Sequence, residues 1–153
     1  MKKLDFKNKV LELAIKRQQE IIDDFTRRIN EISVSVMNIN ENQHDVDQKS
    51  LATSSSELIN HLGDQLNFVT DEMILLQKIK RENKLHNKVS IGSVVKTDKL
   101  NFFPSVSVEK FRVDGTDFFG LSAKAPLFKA MKGKKVGERF SYQKKEYQIL
   151  DVF

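Results

Sequence analysis

The chain has 153 residues and no cysteine, which excludes disulfides and thiol chemistry. Its 39% hydrophobic and 31% charged residues suit one domain or two small ones, and no stretch has the length of a membrane span. The net charge of +5 is uneven: residues 1–88 carry 14 basic and 14 acidic side chains, whereas residues 89–153 carry 12 and 7.

Met1 to Lys9 is charged and has no apolar run before a cleavage site, so a cytoplasmic protein is expected. A helix is expected from about Leu4. Its apolar positions Ile22, Phe25, Ile29, Ile32, Val36 and Ile39 step by three and four, and the register extends back through Gln18, Ile15, Leu11, Asn8 and Leu4. Ser33-Val34-Ser35-Val36 is a poor helix former, but the seam runs through it. A second seam reads Ala52, Ser55, Ile59, Leu62, Leu66, Val69, Met73 and Leu76. Each stripe needs a partner, and the two registers pair as an antiparallel coiled coil over residues 1–84. In that pairing Ile32 faces Ile59, Ile29 faces Leu62, Phe25 faces Leu66, Ile22 faces Val69 and Ile15 faces Leu76.

The pairing puts the turn at His44 to Asp47, in a polar tip of about residues 41–50. A helix of about 35 residues rises roughly 50 Å, so the tip is expected far from the rest of the chain. The second helix has two candidate starts. Ser54-Ser55-Ser56-Glu57 fits a capping box, while Asp47 fits an earlier cap. Residues 29–77 hold one basic residue, Lys49, and eight acidic ones, so the hairpin is expected to be negative toward its tip. The second helix should end near Lys80 to Lys84, with residues 85–88 as linker.

From Val89 the pattern turns to strands, giving a second domain over residues 89–153. Expected strands are Val89 to Ile91, Val94 to Thr97, Phe102 to Phe111, Phe118 to Ser122, Phe140 to Tyr142 and Tyr147 to Val152. Pro104 argues for an edge or a bulge in the third of these. Asp114-Gly115 reads as a turn, and Pro126 to Met131 as a short helix ended by Gly133. The phenylalanines crowded into this domain read as core. The fold class is therefore α+β: a helical hairpin, then a sheet wrapped on one short helix.

Gly120-Leu121-Ser122, Ala125-Pro126-Leu127, Ala130-Met131, Gly133-Lys134, Gly137-Glu138 and Tyr147-Gln148-Ile149, in this order, resemble the C-terminal domain of the Gre transcript-cleavage factors. Their order and the preceding coiled coil extend the resemblance over nearly the whole chain. It implies an FKBP-like fold for residues 89–153. It also implies a monomeric, non-membrane elongation factor whose partners are bacterial RNA polymerase and the 3′ end of the nascent RNA. The factor is not itself an enzyme. The family's C-terminal domain docks at the rim of the polymerase secondary channel, which gives Pro126 and Leu127 a docking role. Acidic tip residues reach the polymerase active site and help hold a second Mg²⁺ there, which gives Asp45 and Asp47 the catalytic and metal-binding role. Carboxylates suit this hard cation, and two-metal cleavage needs both ions held.

At the tip the sequence departs from the family's Gly-Asp-Leu-x-Glu-Asn-Ala-Glu-Tyr. His44-Asp45-Val46-Asp47-Gln48-Lys49-Ser50-Leu51-Ala52 keeps the first acid, puts Gln48 in place of the second, and has Asp47 one position earlier. A Gre-fold regulator that enters the channel without cleaving is the alternative. An FKBP-like isomerase or chaperone is a further one, resting on fold alone. The bland reading of Asp45 and Asp47 is a solvated turn, or a cap at Asp47. His44 could move protons near neutral pH, but an exposed turn histidine usually does nothing. His61 and His86 are too scattered to bind a metal together. Lys129, Lys132, Lys134 and Lys135 make a basic patch, read as a solubility patch or as contact with an acidic polymerase surface.

Overall fold

The computed structural model describes residues 2–41 and 46–153, with side chains described outside 39–52. Two long helices come first, α1 (Lys3–Glu41) and α2 (Val46–Glu82). They are antiparallel, and a mixed six-stranded sheet with one short helix follows. The α+β class expected from the sequence is the one observed. Contacts divide the chain into two compact units, a sheet unit of Met1–Arg17 with Glu72–Phe153 and a hairpin unit of Gln18–Asp71.

In the hairpin unit the seam is visible as burial. Ile22, Phe25, Ile29, Ile32 and Val36 are half-buried on α1, as are Ser55, Ile59 and Leu66 on α2, while Leu62 and Val69 are buried. Most of the residues between them are exposed. The Ser-Val run at Ser33–Val36 stays helical, because the seam residues Ile32 and Val36 outweigh a weak intrinsic propensity. The buried amide of Gln18 donates to the Val69 carbonyl oxygen at 2.9 Å, a cross-helix bond where a heptad would place an apolar residue. The start of α2 at Val46 places the Ser54–Glu57 box inside the helix, not at its beginning.

In the sheet unit the strands are β1 (Val95–Thr97), β2 (Asn101–Ser105), β3 (Phe111–Val113), β4 (Thr116–Ser122), β5 (Arg139–Tyr142) and β6 (Lys145–Val152), in the order β3-β4-β2-β1-β6-β5. β2 and β4 are parallel, and every other neighbouring pair is antiparallel. The pleat sends successive side chains to opposite faces. Val94, Phe103, Phe118 and Phe153 join one core, while their neighbours Val95, Phe102, Phe119 and Val152 belong to the other. The first core is closed by the base of the helix pair through Val10, Leu11, Ala14, Leu76 and Ile79. The second is closed by α3 (Pro126–Met131) through Phe128 and Met131.

Three strand expectations change. Val89 to Ile91 is not a strand; Val89 instead exchanges backbone hydrogen bonds with Gly133 and Lys134, each 2.8 Å. The run from Phe102 breaks after Ser105, and Phe111 opens a separate strand. Pro104 lies in an inner strand, not on an edge. It is tolerated because β1 pairs with β2 only at Asn101 and Phe102, so Pro104 lies beyond the end of that ladder. Its carbonyl accepts from Gly92 N–H at 2.7 Å. The Asp114-Gly115 turn is present, with both residues at positive φ as a two-residue I′ hairpin requires. A second such turn, at Gln143-Lys144, lacks the usual Asn-Gly or Asp-Gly signal.

Candidate functional site

The acidic tip comes first. His44 and Asp45 lie outside the described residues, and Asp47 belongs to the first turn of α2 with its side chain outside the description. The charge around them follows from the sequence and the unit boundaries. The hairpin unit has 10 acidic and 3 basic residues, and the sheet unit has 11 and 23. Within the hairpin unit both arginines are already engaged: Arg27 with Asp24 at 2.7 Å and Glu31 at 3.0 Å, Arg28 with Asp24 at 3.0 Å. Spaced three and four apart on one helix, these pairs neutralise each other locally.

The segment expected to dock is built on β4 and α3. Gly120 in β4 donates its N–H to the Val108 carbonyl oxygen at 3.0 Å. A Cβ there would stand 2.4 Å from the Val106 carbonyl oxygen and 2.6 Å from the Val108 nitrogen, so this close approach of backbones requires glycine. β4 leads into Ala125, whose extended backbone precedes Pro126 at the first helical position. Phe128 and Met131 are buried and fix α3 to the sheet. Pro126 is left exposed and Leu127 half-buried beside that anchor. The helix stops at Lys132, whose N–H donates to the Phe128 carbonyl oxygen, and Gly133 turns the chain at φ 79°. Lys129, Lys132 and Lys135 are exposed and Lys134 is half-buried.

A cluster that the heptad reading does not anticipate sits where α1 begins and α2 ends. Lys7 is 2% exposed. Its ammonium donates to the Lys84 carbonyl oxygen and lies 3.1 Å from His86 Nδ1. Burial, then the Lys84 charge, lowers its pKa from 10.5 to about 8, against the pull of Glu82. Burial likewise lowers His86, with Lys7 and Lys84 adding to the effect. The sequence holds one faint signal: Lys7 stands between Phe6 and Val10 on a second helical stripe that also includes Ala14 and faces the sheet.

Among the described residues no group of three His, Asp or Glu side chains is placed to hold a metal ion, and no helix is long and apolar enough to cross a membrane. No protein-family model matches the chain, and no curated protein matches it significantly.

Proposed function

We propose that this chain is a Gre-like factor that acts on bacterial RNA polymerase through the secondary channel, with its FKBP-like domain docking and its acidic hairpin entering. The observation that supports the reading best is the combination carried by one chain. A helical hairpin unit with a strong acidic excess is joined to a basic sheet unit that carries the Gre-like run from Gly120 to Gly133. Exposed Pro126 and half-buried Leu127 on the anchored α3 offer a small apolar contact to a partner. On the hairpin, Asp45 and Asp47 would hold a Mg²⁺ together with the polymerase's own ligands. Such an ion, when bound, stabilises negative charge developing on the cleaved phosphate. The altered spacing of these two acids favours, as the second reading, a factor that enters the channel without cleaving.

One experiment separates the readings. The purified chain is added to a stalled, backtracked elongation complex of its own organism, and RNA cleavage and polymerase binding are followed together. Cleavage that disappears in Asp45→Asn with Asp47→Asn, while binding persists, supports the first reading. Binding without cleavage by the parent chain supports the second. Absence of binding by the parent chain would overturn both.

A further inference from the structure

A buried lysine without a carboxylate on its ammonium is costly, because the charge has left water and gained only neutral acceptors. Lys7 is in that position. Its contacts are the Lys84 carbonyl oxygen and the imidazole Nδ1 of His86, both on the segment that follows α2. This segment is otherwise thinly held. Asn83 closes α2 at φ 45° with its N–H on the Ile79 carbonyl oxygen, and Lys84, Leu85, Asn87 and Lys88 are exposed. The His86 ring is half-buried near Gly92. A Cβ on Gly92 would stand 3.6 Å from its Cε1 and 3.3 Å from Ile79 Cγ2. An ammonium has donors only, so His86 Nδ1 must be the unprotonated acceptor and the ring must be neutral.

We propose that Lys7, the Lys84 carbonyl and His86 form a proton-released latch: uptake of a proton by His86 breaks its hydrogen bond to Lys7 and loosens residues 83–88, leaving the Lys84 carbonyl as their one bond to Lys7. A protonated His86 would present N–H to an ammonium 3.1 Å away, two donors and two positive charges in one small space. The charges that bear on the pair are few. Lys84 opposes both groups and Glu82 favours both, so one carboxylate faces three cations once His86 is charged. Lys3, one turn earlier on α1, is held by Asp151 of β6 at 2.9 Å and so adds little. Relief comes from moving the segment.

Both groups act in the same direction. His86 is lowered from 6.5 when the latch is closed, so protons favour the open form as pH falls below that value. Lys7 is lowered from 10.5 to about 8, so the closed form strengthens as pH rises through that interval, where the amine sheds its charge and keeps its hydrogen bonds. The latch therefore tightens from acid to alkali in two steps. This inference does not depend on the polymerase reading.

The test uses the full chain and two measurements. His86 is titrated by the shift of its Cε1 proton in NMR. Amide exchange of residues 83–91 is followed from pH 5 to 9 by mass spectrometry, corrected for the intrinsic pH dependence, with β2 as internal reference. The expected result is a His86 midpoint below 6.5 and a severalfold rise in exchange of 83–88 that tracks it, with β2 unchanged. His86→Gln keeps an acceptor that does not titrate, and it should abolish the acid-induced rise. Lys7→Met should return the His86 midpoint toward 6.5 and raise exchange of the segment already at neutral pH. If His86→Gln shows the same acid-induced rise as the parent, the latch is refuted. An unshifted His86 midpoint in a folded Lys7→Met chain would refute it too. Should Lys7→Met fail to fold, the His86→Gln comparison still decides.

Discussion

The hairpin unit and the sheet unit are stabilised in different ways. In Gln18–Asp71 the described buried residues are Gln18, Leu62 and Val69; the rest of the seam is half-covered, and the other faces carry charge and solvent. The sheet unit buries two separate cores, one on each face of six strands, with Phe102, Phe103 and Phe118 at 1% exposure or less. A two-helix stripe is additive along its length, so its parts can loosen singly. A doubly covered sheet is cooperative, because its inner strands β2 and β4 support cores on both sides. The contrast also separates tolerance from constraint. The surface of the hairpin can hold an acidic excess at little structural cost, while the sheet unit admits few changes inside.

The sharpest way to break that contrast is to truncate one core residue in each unit. Phe118→Ala removes a ring that lies 5.7 Å from Phe6 and 6.1 Å from Phe111, and should lose about 3–5 kcal/mol and unfold the sheet unit as a whole. Leu62→Ala in the hairpin should lose about 2–3 kcal/mol, with the loss confined to local exchange around it. Urea denaturation with exchange mapping reads both. Equal and global losses would remove the distinction between the units.

A smaller effect sharpens the claim that the sheet unit admits few changes. Gly120→Ala needs room that Val106 and Val108 backbone atoms occupy, so the crossing must shift, at a cost of about 1–3 kcal/mol. Gly63, in α2, has nothing within 4 Å of the place a Cβ would take, and Gly63→Ala should instead stabilise by about 0.5–1 kcal/mol through helix propensity. Thermal melts of the two variants should move in opposite directions.

A pH-dependent effect concerns the buried charge of the sheet unit. The folded chain holds the Lys7 proton less tightly than the unfolded chain does, with a pKa of about 8 against 10.5. Between those values the unfolded chain binds more protons, so rising pH favours folding. The penalty is present in full below pH 8 and gone above 10.5. Measured against Lys7→Met, the parent should gain about 1–2 kcal/mol across this interval, since relaxation around the charged group reduces what the full shift would give. Parallel pH–stability curves for the two chains would show that the ammonium carries no such penalty.

How much of this was legible in the sequence depends on the range of the interactions involved. The two seams, the Asp114-Gly115 turn, the Pro126-led helix and the closing hairpin were readable because each is set by residues a few positions apart. So was the acidic bias of residues 29–77, which is composition alone. The sequence also proposed Asp45, Asp47, Pro126 and Leu127 through a resemblance, which local spacing alone does not give. Tertiary structure alone decided the rest. It placed Pro104 in an inner strand, because only the sheet order shows where the β1 ladder ends. It gave α1 a second apolar face, because Val10 and Ala14 meet strands about a hundred residues away in sequence. It joined Lys7 to His86, 79 residues apart, a pair that no periodicity links. Local spacing fixes which face a side chain takes on its own element; which partner meets that face depends on contacts that the chain makes only once folded.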